Sequence, residues 1–311
     1  MNYNKLQIAE IINLMEKRNI RGLARAISII ENNEEGAEEL LNHAFKKSCK
    51  SAVSLGFTGA PGAGKSTLVN AIIKEYRRAG KFVGVIVVDP TSPYSGGAVL
   101  GDRIRMRDHN VDSGVYIRSL ASRRAQGGLS DVTKFVLYLY RAFGFDVIIV
   151  ETLGVGQDEI DVAKYVDVTA VLLVPGYGDN IQLSKAGIME IADVFIINKS
   201  DKAEADTLKE QLKNIIYVMP EEIRPPIVNT IADKGVGIEE AIAAIEMVSR
   251  RNIKNARQMF RQRIAEEIRS SIHSRFKKDV ERHIDEMVEK VLQSAMTPIE
   301  ASQEILKRLL V

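Results

Sequence analysis

Residues 53–67 read VSLGFTGAPGAGKST, a short apolar run that breaks into a glycine-rich loop ending in Lys-Ser-Thr. Within it, Gly59 to Ser66 reads GAPGAGKS and fits GxxxxGK[ST], the phosphate-binding P-loop. Glycines let successive backbone N–H groups turn inward around a polyphosphate. The first turn of a following helix adds unpaired amides and a positive dipole end. In this pattern Lys65 holds the β- and γ-phosphates and Ser66 ligates Mg²⁺. A glycine turn without a ligand has no use for Lys-Ser after the glycines. The flanks agree, since 53–57 reads as a buried strand and 68–79 as the helix that should follow.

Outward from this loop the same alternation of strand and helix continues. Short continuous apolar runs predict strands at 53–57, 82–88, 115–118, 147–150, 169–174, 194–197 and 227–228, with helical stretches between most of them. Continuous rather than alternating runs are expected where helices cover both faces of a parallel sheet. The fold class that follows is α/β, a P-loop NTPase with a mainly parallel sheet covered by helices. Such sheets bind ligands at the carboxyl ends of their strands. Before the sheet, Leu6, Ile8, Ile11, Ile12 and Leu14, then Leu23, Ala26, Ile27 and Ile30, then Leu40, Leu41, Ala44 and Phe45 recur at helical spacing. After about Ser249 the chain is charged and helical, and Ile264, Ile268, Ile272, Phe276, Val280, Ile284, Met287 and Val291 form an apolar stripe that needs a partner surface. Two readings of that stripe stand, packing on its own domain or contact between subunits. The expected organisation is a helical extension at 1–50, a P-loop domain at 51–248 and a C-terminal helical arm at 249–311.

Composition narrows the class. The chain has 311 residues and 45% hydrophobic content, ample for a buried core. Its 43 Lys and Arg against 41 Asp and Glu leave a formal charge of +2, so no charge excess argues for nucleic acid or an acidic membrane as partner. The single cysteine, Cys49, forms no internal disulfide and fits a reducing compartment. The opening MNYNKLQIAEIINLMEK carries charges through its apolar stretch and has no secretory cleavage pattern. No apolar run approaches the roughly 18 residues of a membrane span. A cytoplasmic protein is expected.

The base is read further along. Asn198-Lys199-Ser200-Asp201, at the end of the apolar run 194–197, fits the NKxD guanine-reading pattern. The Asp201 carboxylate can accept from the ring N–H and the exocyclic amine of guanine, a donor pair that adenine lacks, and sites built on such bonds discriminate strongly. Asn198 would brace the loops, and the aliphatic stem of Lys199 would lie over the base. Phosphoryl transfer also needs Mg²⁺ and a positioned water. Three carboxylates stand at or near strand ends for this: Asp89 after 82–88, Glu151 after 147–150, and Asp102 in the loop 91–107. Each alone also reads as a solvated loop acid or a helix cap, and Mg²⁺ usually keeps waters that such acids hold indirectly. Glu151-Thr152-Leu153-Gly154 stands where many such proteins carry DxxG, and the Gly154 N–H suits a γ-phosphate. Arg103, Arg105 and Arg107 read first as a solvated basic face.

The stretches DPTSPYSGGAVLGDRIRM, VETLGVGQDE, VPGYGDNIQLSKAGIMEIADVFIINKSD and RGLARAISIIE are more specific than a P-loop. Together they resemble the methylmalonyl-CoA mutase-associated GTPases, the family of bacterial MeaB and human MMAA, over nearly the whole chain. The resemblance implies a homodimeric G protein that binds GTP or GDP and Mg²⁺ and acts as a chaperone of an adenosylcobalamin-dependent acyl-CoA mutase. It would gate cofactor loading and protect or reactivate the mutase, with slow hydrolysis until the client is bound. No nucleic-acid or membrane partner is implied. Carried over by position, it assigns phosphate binding to Gly59, Ala60, Pro61, Gly62, Ala63, Gly64, Lys65, Ser66 and Thr67, and base reading to Asn198, Lys199 and Asp201. It assigns Mg²⁺ and catalytic-water roles to Ser66, Asp89, Asp102 and Glu151. Residues 178–185 resemble the family's additional switch loop, in which Lys185 would approach the nucleotide when the client binds. One segment departs: the family's last guanine-contacting stretch usually has Ser-Ala, and here Thr230-Ile231-Ala232-Asp233 occupies it. The Ala232 amide would still meet the guanine carbonyl oxygen, since a backbone donor does not depend on the preceding side chain.

Other P-loop proteins remain as alternatives. A GTP-dependent metallochaperone needs clustered thiolate and imidazole ligands, whereas Cys49 is alone and His43, His109, His273 and His283 are scattered. A signal-recognition GTPase would carry a methionine-rich arm. A metabolic kinase would use the loop without guanine selectivity.

Overall fold

The computed structural model describes residues 5–47, 52–90, 109, 112–122, 131–152, 158–176, 187, 189–254, 283–293 and 295–309. The chain divides into two compact units, Met1–Ile253 and Lys254–Val311.

In the first unit each of the seven apolar runs becomes a strand: β1 (Val53–Gly59), β2 (Val83–Pro90), β3 (Val115–Ser122), β4 (Val147–Thr152), β5 (Val168–Leu173), β6 (Val194–Ile197) and β7 (Ile227–Asn229). They form one sheet in the order β3-β2-β4-β1-β5-β6-β7, and every pairing is parallel. The connections carry the helices: α1 (Lys5–Glu16), α2 (Ile20–Glu31) and α3 (Ala37–Lys47) precede β1, α4 (Lys65–Arg78) follows it, and α5 (Asp131–Phe143) precedes β4. The one-turn α6 (Asp158–Asp161) precedes β5, α7 (Ala205–Ile216) follows β6, and α8 (Ile238–Lys254) follows β7.

Successive strand residues point to opposite faces, so a strand covered on both sides must be apolar throughout. On β2, Ile86 and Val88 pack with Leu23, Ile27 and Ile30 of α2 and Tyr140 and Phe143 of α5. Val83, Val85 and Val87 face the other way, into a core that also holds Leu68, Ile72 and Ile73 of α4 and Ile245 and Val248 of α8. Further along the sheet, Val171, Leu173, Phe195 and Ile197 pack on Leu208 and Leu212 of α7. The three leading helices therefore share a core with the sheet; on α2 the predicted stripe of Leu23, Ala26, Ile27 and Ile30 is buried, and so are Gly22 and Ile29, which lie outside it. An ion pair from Glu31 of α2 to Arg118 of β3 adds a polar tie at the edge of this contact.

Polar groups fasten the amino ends of the strands. Asp167 accepts from the Ser54 amide at 2.9 Å, the Ser54 hydroxyl at 2.8 Å and Arg141 at 2.7 Å. Asn252 of α8 bridges the Asp167 carbonyl at 2.9 Å and the Asp193 carboxylate at 3.2 Å. Burial raises the Asp193 carboxyl above the usual aspartate range, while bonds from Thr169 and Asn252 act in the opposite sense. With the amino ends tied in this way, the carboxyl ends are left for a ligand.

In the second unit, residues 283–292 are helical and are followed by α9 (Pro298–Leu309). Met287, Ala301 and Ile305 bury one another, with Val291 and Met296 against them. Thr297 caps α9 reciprocally with Glu300: the Glu300 carboxylate accepts from the Thr297 amide at 2.8 Å, and the Thr297 hydroxyl accepts from the Glu300 amide at 3.2 Å. Pro298 takes the first helical position, where no amide is needed. Lys290 and Arg308 hold the Glu286 carboxyl down to about 2. Of the predicted stripe, positions 264–280 lie outside the described residues. Among the described residues no helix is long and apolar enough to cross a membrane.

Truncating Ile27 tests whether the leading helices belong to the sheet's core. Ile27→Ala should cost about 2–5 kcal/mol in urea unfolding while preserving one transition for the first unit; an unchanged midpoint would contradict the shared core.

Candidate functional site

The loop that opens α4 leaves β1 at the middle of the sheet, between β4 and β5. Gly59, Gly62 and Gly64 all have positive φ, at 141°, 79° and 87°. Gly59 also passes so close to β5 that a Cβ would lie 2.3 Å from the Leu172 carbonyl oxygen, and a Cβ on Gly64 would lie 2.4 Å from Asn198 Nδ2. Both positions therefore require glycine on grounds of conformation and of space. Lys65 begins the helix and is buried, its ammonium donating to the carbonyls of Gly59 at 2.5 Å and Ala60 at 3.1 Å. The P-loop cation thus lies folded back across its own loop.

Register brings the carboxylate of β4 to the same place. Glu151 pairs with Phe57, two residues before Gly59, and is 1% exposed. Its Oε1 accepts from the Ser66 hydroxyl at 2.6 Å, joining residues 85 apart in sequence. Asp89 lies at the carboxyl end of β2, paired with Ala121 of β3; the strand puts its backbone on the same side of the sheet. Asp102, Gly154 and Lys185 lie outside the described residues.

Asn198 follows β6 and is buried. Its Nδ2 donates to the Ala63 carbonyl at 2.9 Å, and its Oδ1 accepts from the Thr230 hydroxyl at 3.2 Å and the Ala232 amide at 3.1 Å. One side chain therefore joins the P-loop, the NKxD loop and the turn after β7. Lys199 adopts φ 55°, unusual for a residue with a Cβ, and its ammonium donates to the Gly62 carbonyl at 2.9 Å. Its stem thus spans from the NKxD loop to the P-loop. The Ser200 amide and hydroxyl both donate to the Thr230 carbonyl at 3.0 Å, and the Thr230 amide donates to Ile197 at 2.8 Å. Asp201 is 45% exposed and pairs with Lys234 at 3.2 Å. That lysine, more than other nearby charge, holds the Asp201 carboxyl below the usual aspartate range.

Gly59 through Thr67, Glu151, Asn198, Lys199, Asp201 and Ala232 thus converge at one edge of the sheet. Thr230, the first residue of the stretch 230–233, joins the network through its hydroxyl, a role the sequence did not assign to it. Lys234 joins without a sequence signal of its own and could be found only by knowing that its turn faces Asp201.

A match to the family model described as "Methylmalonyl Co-A mutase-associated GTPase MeaB" spans residues 23–287. The chain belongs to this family. Similarity extends to a Pyrococcus abyssi protein named as a GTPase, 42% identical over 97% of both chains. It extends also to the mouse protein named methylmalonic aciduria type A homolog, mitochondrial, 32% identical over 81% of this chain and 64% of that protein. A solved structure titled LAO/AO transport system kinase superposes over the full length of both chains with a TM-score of 0.74 at 25% identity. As a MeaB-family GTPase, the chain binds GTP and GDP and hydrolyses GTP.

Removing the Asn198 amide orphans the Ala63 carbonyl and the Ala232 N–H together. Asn198→Ala should lower stability by about 1–3 kcal/mol, read by thermal unfolding, and weaken GDP binding in the same preparation; GDP affinity equal to wild type would contradict the bracing role.

Proposed function

We propose that this GTPase is a nucleotide-dependent chaperone of an adenosylcobalamin-dependent acyl-CoA mutase, gating cofactor loading and protecting or reactivating its client. The observation that supports it best is the family match across residues 23–287, whose description ties these GTPases to methylmalonyl-CoA mutase. The site geometry supports the nucleotide part. In this reading Gly59–Thr67 wraps the phosphates, and the Lys65 ammonium leaves the Gly59 and Ala60 carbonyls for the β- and γ-phosphates. Asp201 reads the guanine edge, and Lys199 lies along the base. The Ala232 N–H already serves Asn198, so a guanine carbonyl would share that proton.

The donors at the loop fit Mg²⁺. Ser66 Oγ and Glu151 Oε1 are hard oxygen ligands 2.6 Å apart beside the helix start. Ser66 would bind the ion directly, and Glu151, Asp89 and Asp102 would hold it directly or through waters. When bound, Mg²⁺ supplies charge compensation on the phosphates. Glu151, released from Ser66, would orient an attacking water. The Gly154 amide would sense the γ-phosphate, and Lys185 would add positive charge when the client docks. The proposed division of labour is extension 1–50, GTPase domain 51–248 and arm 249–311, with the arm joining two copies of the chain. Exposed Ile284, Val288 and Leu292, one helical turn apart, support that last role.

Three outcomes follow. GTP turnover by the full chain should rise when the client mutase is added, with ATP inert; turnover indifferent to every cobalamin-dependent mutase tested would remove the chaperone reading, and ATP preference would favour a kinase. Lys65→Ala should reduce GTP turnover by about 10²-fold or more, measured as phosphate release at saturating GTP. Replacing Ile284, Val288 and Leu292 together by serine should yield monomers in light scattering, whereas an unchanged dimer would place the contact elsewhere.

A further inference from the structure

Asp201 is an exposed member of the site, on a loop whose neighbours Asn198 and Ser200 are fixed by bonds to other loops. A carboxylate that must meet two parallel N–H donors needs its plane fixed as well as its charge. Ile231, at the start of the turn after β7, has no side-chain donor to offer. Lys234, three residues further on, reaches Asp201 Oδ2 at 3.2 Å.

Its position is itself constrained. The Ile231 and Val236 backbones bridge each other, the Lys234 amide donates to Ile231 at 3.0 Å, and Gly235 closes the turn at φ 70°. Asn198 fixes the start of the same turn through the Ala232 amide at 3.1 Å. The lysine is thus presented from a turn anchored to the loop that carries Asp201.

We propose that Lys234 is a positioning residue for guanine recognition, holding the Asp201 carboxylate in the plane that receives both guanine donors. The inference rests on the reading of Asp201 as the base-reading residue. Lys234 occupies one lone pair of Oδ2, and the remaining lone pairs of both oxygens stay available to the base. Lys202, on the same loop, also acts on the Asp201 charge but more weakly. The assignment differs from a competitive one, in which the lysine would have to leave before guanine could bind.

The test is competition binding of GDP and IDP to full-length wild type, Lys234→Met, Lys234→Arg and Asp201→Asn. Hypoxanthine lacks the exocyclic amine, so IDP loses one of the two bonds to the carboxylate. Lys234→Met should weaken GDP by about five- to tenfold and IDP by less, shrinking the GDP-to-IDP preference; Lys234→Arg should restore it. Equal weakening of both nucleotides would reduce Lys234 to a structural role, and tighter GDP binding would make it a competitor; either overturns the proposal. Asp201→Asn separates the two levels. If it loses GDP and gains XDP while Lys234→Met behaves as wild type, only the Lys234 inference falls. If it binds GDP normally, the base-site reading falls and the inference with it.

Discussion

The Asn198 carboxamide is the contact on which the rest of the site depends. A primary amide offers both donors and acceptors, so it can satisfy a carbonyl on one loop while receiving an amide and a hydroxyl from another. Here it joins Ala63 of the P-loop to Thr230 and Ala232 of the turn after β7, and its own loop after β6 is the third connection. Aspartate would lack the donor for Ala63. The close approach also explains Gly64, where any side chain would collide with Asn198. A glycine chosen for its backbone conformation and an asparagine chosen for its hydrogen bonds are thus one requirement seen from two loops.

The sheet makes that contact possible. Parallel order places the ends of β1, β4, β5, β6 and β7 side by side, and half-buried bonds through Asp167, Asn252 and Asp193 fasten the opposite ends. Polar fastening therefore stands at one end of the strands, and the P-loop and the NKxD loop at the other. At the carboxyl ends of the strands, Lys65 with two carbonyls and Ser66 with Glu151 satisfy one another's polar groups. Both are bonds that a phosphate or a cation can replace in kind, so binding exchanges partners rather than stripping bare charges from water.

The fold was legible because burial on both faces leaves continuous apolar runs, and all seven became strands. Lys65 and Ser66 were legible from the glycine spacing, and Asn198 and Asp201 from the position of NKxD after an apolar run. What sequence could not show was pairing at long range. Ser66 with Glu151, Asn198 with Ala63 and Lys234 with Asp201 have no periodicity, since each depends on which strands are neighbours. The leading helices were legible as amphipathic, but not that their stripe shares a core with α5. The departure at Ile231 was visible; that Lys234, three residues on, meets the Asp201 carboxylate was not.

If three separated loops form one guanine-nucleotide site through Asn198, the nucleotide orders them as a unit. Amide hydrogen exchange of the full chain with and without GDP tests it most directly. Protection should rise together at 60–66, 198–202 and 230–234 with GDP and not with ADP. Protection confined to 60–66, or equal with ADP, would contradict it.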